Sequence, residues 1–108
     1  MIYESRVYRC VPGRLPALLK RFETVTLKLF EKHGIRPVGF FTTLIGESNQ
    51  ELTYFLAWES LADREKKWAA FQSDQEWITA RAKTEEDGQI VANIVSQLLT
   101  PTAFSAMR

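Results

Sequence analysis

Residues 2–10 alternate along an extended chain. Ile2, Glu4, Arg6, Tyr8 and Cys10 fall on one side and Tyr3, Ser5, Val7 and Arg9 on the other, the period expected of a β-strand. Neither side is plainly hydrophobic. Val11-Pro12-Gly13 breaks the strand. Leu15, Leu18, Leu19, Phe22, Val25, Leu29 and Phe30 then recur at three- and four-residue steps, which predicts an amphipathic helix over 14–33, with Pro16 in its first turn and Gly34 as its stop. Val38 to Ile45 and Leu52 to Glu59 read as two strands of a hairpin around Gly46-Glu47-Ser48-Asn49-Gln50. Ser60 opens a second helix, with Asp63 completing a capping box. Trp77, Ile78, Ala80 and Ala82 support a short third helix ending near 84, and Ile90 to Leu99 is the last strand. The order predicts an α+β, ferredoxin-like split β-α-β sandwich: a four-stranded antiparallel sheet with its helices on one face.

Helices on one face leave the other to water or to a partner. Val38, Phe40 and Leu44 lie on one side of their strand and Phe41 and Ile45 on the other; Leu52, Tyr54, Leu56 and Trp58 oppose Phe55 and Ala57. Strands apolar on both sides are buried on both sides. The expectation is a homodimer in which two sheets meet face to face as a dimeric α+β barrel. Phe55 is assigned with Trp68 and Phe71 to the sheet–helix core, and Tyr54 and Trp58 to the inter-sheet face. With Tyr3, Ser5 and Val7 toward the helices, Glu4, Arg6 and Tyr8 point between the sheets. Glu4 and Arg6 then form an ion pair, or line a cavity there together with Tyr54 and Trp58. A few polar groups in an aromatic wall are the usual make-up of a small-molecule site, here one that would take a small apolar or aromatic ligand.

The chain has 108 residues, 45% hydrophobic and 25% charged, so one domain spanning 1–108 is expected. Its 14 basic and 13 acidic residues leave a net charge of +1, which argues against nucleic acid and anionic membrane surfaces as partners. Cys10 is the single cysteine and cannot close an intramolecular disulfide. No secretory leader and no membrane span is visible, so a reducing, cytoplasmic setting is the expectation. No phosphate-binding Gly-rich loop, Cys/His metal spacing or Gly-x-Ser-x-Gly elbow occurs, so neither cofactor nor metal is expected.

The segments E-S-R-V-Y-R-C-V-P-G-R, W-E-S-L-A-D-R-E and D-Q-E-W together resemble the NIPSNAP family over nearly the whole chain. Arg6 and Tyr8 match its early Arg-x-Tyr, Pro12-Gly13 its turn, Ser60 and Arg64 its Ser-x-x-x-Arg, and Trp77 its late Trp. The resemblance implies a dimeric α+β barrel, in a superfamily that also contains cofactor-free monooxygenases and haem-binding enzymes. It implies no agreed reaction, and the family's eukaryotic members are associated with mitochondria and vesicle trafficking. The reading is therefore a binding or interaction module of undefined activity, with Arg6, Tyr8, Tyr54 and Trp58 as ligand-contact candidates. The alternative is a small cofactor-independent monooxygenase or isomerase acting on an aromatic or polyketide-like substrate, with His33, Glu4 or Tyr54 as its proton acceptor. Each candidate also has a structural reading. His33 suits a helix C-terminal cap, Tyr8, Tyr54 and Trp58 suit packing, and Arg64, on an otherwise apolar helix stripe, would snorkel or pair with an acidic neighbour.

Overall fold

The computed structural model describes residues 1–108. Strand β1 (Ile2–Cys10) is followed by one long helix in three parts: α1 (Leu15–Arg21), a π-helical turn (Phe22–Thr26) and α2 (Leu27–Lys32). The hairpin β2 (Arg36–Thr42) and β3 (Glu51–Trp58), helices α3 (Leu61–Gln72) and α4 (Gln75–Thr84), and strand β4 (Val91–Leu99) complete the chain. The sheet is antiparallel in the order β2-β3-β1-β4, and its helices lie on one face. This is the predicted ferredoxin-like α+β topology. No helix is long and apolar enough to cross a membrane.

Local chemistry accounts for the helix ends. After Lys32 the chain turns through Gly34 at φ 70°. Ile35 N–H then donates to the Phe30 carbonyl and Gly34 N–H to that of Glu31, the paired bonds of a Schellman stop, whose left-handed position favours glycine. Ser60 Oγ accepts from the Asp63 amide at 3.0 Å. Asp63 reaches back one residue further than predicted, accepting from the Glu59 amide at 3.2 Å. Asp74 caps α4 by accepting from the Glu76 amide at 2.9 Å.

Three sequence expectations are corrected. The hairpin strand stops at Thr42, and Leu44 and Ile45 stand almost fully exposed in the connecting loop, so they say nothing about a sheet face. The two sides of the sheet are also exchanged relative to the assignment. Tyr54, Leu56 and Trp58 are buried under the helices in one core with Leu18, Phe30 and Phe71. Cross-strand pairing brings Glu4 opposite Leu56 and Arg6 opposite Tyr54, so Glu4, Arg6 and Tyr8 also face the helices. Phe55 lies on the open face, edge to face with Phe41 at 6.4 Å. The physical reason is the pairing of the charges: satisfied on every side, Glu4 and Arg6 enter the core more cheaply than an unpaired ion would.

Candidate functional site

Glu4 of β1 is fully buried, and five donors converge on its carboxylate. Arg6 Nη1 donates at 2.9 Å, Arg64 Nε and Nη2 at 2.8 and 3.1 Å, the Trp58 indole N–H at 3.1 Å and Ser96 Oγ at 2.6 Å. Burial alone would raise the Glu4 pKa. Hydrogen bonds from Arg64, Ser96 and Arg6 outweigh it and hold the carboxyl down to about 2. Arg64, on α3, thus finds the acidic partner its place in an apolar stripe called for.

Arg6 carries the network toward the cavity. Its Nε donates to Tyr54 Oη at 2.9 Å and its Nη2 to Tyr8 Oη at 3.3 Å, while its plane lies 4.6 Å from the Trp68 ring centroid, a cation–π contact. Tyr54 Oη in turn donates to Tyr8 Oη at 2.9 Å. Tyr54 is 0% exposed, and the reverse direction would leave its hydroxyl hydrogen buried without an acceptor. Tyr8 therefore ends the chain with its own hydroxyl hydrogen free to meet a guest. Burial holds the Tyr54 phenol protonated, its pKa far above the ordinary range.

Beside Tyr8 a cleft of about 620 Å³ opens between the helices and strands β1 and β4. This lies within the volume range of small-molecule sites. Arg6 and Tyr8 form its inner wall, Trp77 and Arg81 of α4 one flank, Ile94 of β4 the floor, and Arg21 of α1 another flank. Arg21 is 4% exposed, stacks 5.4 Å from the Trp77 ring centroid, and has its pKa lowered by burial. The cleft contains no histidine. His33 lies at the end of α2, its Nε2 2.7 Å from Asp74 Oδ2, and Lys32 Nζ donates to the same oxygen at 2.9 Å. Together with the backbone bond from Glu76, these hold the Asp74 carboxyl well below the ordinary range.

Of the residues singled out in the sequence, Arg6, Tyr8 and Trp77 line the cleft. Tyr54 stands one hydrogen bond behind Arg6 and Tyr8, and Glu4 and Trp58 lie deeper in the same network. His33 is elsewhere. The cleft itself lies within one chain, between sheet and helices, and not between two sheets as expected. Arg21, Arg81 and Glu85 were not anticipated. Arg21 carried a usable signal: it follows Leu18 by three residues on the buried stripe of the first helix, where a solvated arginine would not sit. Cys10 is buried on β1, and burial raises its thiol pKa, so it is not an activated nucleophile.

No curated protein matches the chain. A structure from Agrobacterium tumefaciens is similar over 100% of both chains at 30% identity, with a TM-score of 0.88. An uncharacterised NIPSNAP-like domain protein from Burkholderia xenovorans is 25% identical over 96% of this chain and 87% of its own, with a TM-score of 0.84. A putative antibiotic biosynthesis monooxygenase from Nitrosomonas europaea shares the fold at 11% identity, covering 94% of this chain and 98% of its own, with a TM-score of 0.64. The family model for NIPSNAP matches residues 3–106, almost the entire length that carries the strands, the charged network and the cleft, and the chain belongs to the NIPSNAP family.

Proposed function

We propose that this protein is a small-molecule-binding module that acts as a homodimer, with its ligand held in the cleft between sheet and helices. One observation carries the reading: Arg6 and Tyr8 are fixed at the cleft wall by a buried network, and the last hydroxyl hydrogen of that network has no acceptor in the chain. A preorganised donor in the wall of a cleft that also presents Trp77 and Ile94 is how a binding site orients a guest. Titration of 15N-labelled protein with 2-naphthol tests it. Shifts centred on Tyr8, Trp77 and Ile94 support the cleft, and shifts scattered over the outer sheet face or absent altogether defeat it.

The homodimer rests on the open face of the sheet. The molecule is a slab 45 × 36 × 19 Å, two layers thick, and Phe41, Val95 and Leu99 are 57%, 38% and 40% exposed on the face without helices. A face of that size supplies the roughly 800 Å² per partner of a standard specific interface, and a twofold axis makes it self-complementary. Sedimentation equilibrium across a hundredfold dilution tests it, and a stable monomer throughout would refute it.

A cofactor-independent monooxygenase or isomerase is the second reading. The unaccepted Tyr8 hydroxyl hydrogen favours it, since a phenol so placed can donate to a substrate oxygen that gains charge. Oxidation of 1,4-dihydroxynaphthalene above its spontaneous rate, lost in Tyr8→Phe, would support this reading; no enhancement would remove it.

A further inference from the structure

Arg21 is a buried cation with almost nothing to hold. A guanidinium carries five N–H donors. In Arg21 only Nη1 meets an acceptor, Thr84 Oγ1 at 3.4 Å, at the outer limit of a hydrogen bond. Thr84 Oγ1 is itself engaged as a donor to the Arg81 carbonyl at 2.8 Å. The nearest carboxylate, Glu85, stands 4.0 Å from Arg21 Nη1 and is shared with Arg81 Nε at 3.8 Å. Arg21 Nε has no partner at all. Arg6, which lines the same cleft, has all three of its nitrogens bonded. Buried polar groups without partners are rare in folded chains, and each calls for an explanation.

The local charge points the same way. Arg6, Arg64, Arg21 and Arg81 face two carboxylates, Glu4 and Glu85, across the network and the cleft. Two positive charges are therefore in excess around the cleft of a chain whose net charge is only +1. The backbone is shaped for this placement as well. The π-helical turn begins at Phe22, directly after Arg21. Its wider ring lets Arg21 and Phe22 both face inward while Thr26 Oγ donates to the Arg21 carbonyl at 3.4 Å. Such turns inside α-helices frequently mark functional positions.

Resting on the small-molecule reading above, we infer that the cleft takes an organic carboxylate, with Arg21 Nη2, which has no partner in the chain, donating to the carboxylate and Tyr8 donating a further hydrogen bond. The Trp77 ring and the Ile94 side chain receive the apolar body of the ligand. A carboxylate supplies both an acceptor for the open donor and the counter-charge the cleft lacks. A neutral guest could accept a hydrogen bond from Arg21 but would bring no counter-charge.

The test compares 2-naphthoate with its neutral isostere 2-naphthamide by isothermal titration calorimetry, with inorganic phosphate as competitor. Wild-type protein binds the naphthoate about tenfold or more tightly than the amide, the factor expected of a charge-assisted pair, and phosphate displaces it poorly. In Arg21→Met that preference falls below about threefold, with the naphthoate losing more affinity than the amide, and the melting temperature is equal to or above that of the wild type, because a poorly paired buried charge has been replaced by an apolar side chain of similar length. Arg21→Lys keeps part of the preference, an ammonium replacing the guanidinium charge. Equal binding of acid and amide by the wild type overturns the carboxylate inference and leaves the cleft reading standing. Binding of neither probe removes both. Phosphate binding as tightly as naphthoate, or a preference that survives Arg21→Met, also overturns the inference. So does a melting temperature for Arg21→Met well below that of the wild type, which would show Arg21 to be a structural ion-pair partner.

Discussion

Replacing Glu4 by glutamine removes one charge and changes almost no volume, yet the structure makes it a severe substitution. The carboxylate accepts from two guanidiniums, an indole and a hydroxyl. An amide nitrogen in place of either oxygen would turn a donor toward those donors. In the fold the carboxyl titrates at about 2 against an ordinary 4.5. That gap corresponds to about 3 kcal/mol of folding stability. Glu4 is fully buried, so solvent screening does not reduce the figure. Breaking a buried pair by removing one partner costs about 3–5 kcal/mol in general, which agrees. Because the folded value lies below the unfolded one, the contribution is complete above the unfolded pKa and is lost as pH falls from 4.5 toward 2. It is worth about 3 kcal/mol at pH 7 and about 1 kcal/mol at pH 3. Urea unfolding followed by tryptophan fluorescence, at matched protein concentration, should show Glu4→Gln less stable by about 3 kcal/mol at pH 7, with the gap to wild type narrowing to about 1 kcal/mol at pH 3. Equal stability at pH 7, or a gap that does not shrink with acid, would refute the account of Glu4 as the charged hub of the core.

Three further substitutions test neighbouring parts of the structure. Tyr54→Phe strips the acceptor from Arg6 Nε and the donor from Tyr8, and thermal unfolding should show a loss of about 2 kcal/mol, the cost of leaving a buried charged donor unpaired. Ser60→Ala removes the cap on the Asp63 amide and should cost about 1 kcal/mol in the same assay. Phe41→Glu places a charge on the open sheet face, and under the proposed homodimer sedimentation should report a folded monomer for this variant and a dimer for the wild type.

The order of elements was legible because it rests on periodicity. The three- and four-residue spacing from Leu15 to Phe30 and the β-branched runs of the hairpin are local signals, and turn chemistry at Gly13, Gly34 and Ser60 marks their ends. Strand faces were harder. On β1 both sides carry polar and aromatic residues, and the choice between them depends on which set finds partners from other elements. Arg64 is 60 residues from Glu4, and Ser96 is 92. Neither pairing has a local signature. Leu44 and Ile45 misled in the opposite way: they have strand-like side chains but lie beyond the last ladder pair of the hairpin, Thr42 with Leu52.

The same physics explains why one arginine in this cleft was visible as a candidate and the other was not. Arg6 stands two residues from Glu4 on one strand side, so a reader of the chain sees a charge with a partner at hand. Arg21 has no acidic residue at three- or four-residue spacing on either side; Ala17, Leu18, Thr24 and Val25 occupy those positions. Its one signal in the chain is its place on the apolar stripe three residues after Leu18, and that signal names no partner. Inside the fold the lack of a neighbour becomes the informative property, because burial removes the water that would otherwise satisfy its donors. Arg6 is held by the chain and so belongs to the wall of the cleft. Arg21 is held by nothing comparable, and what would satisfy it has to come from outside the chain.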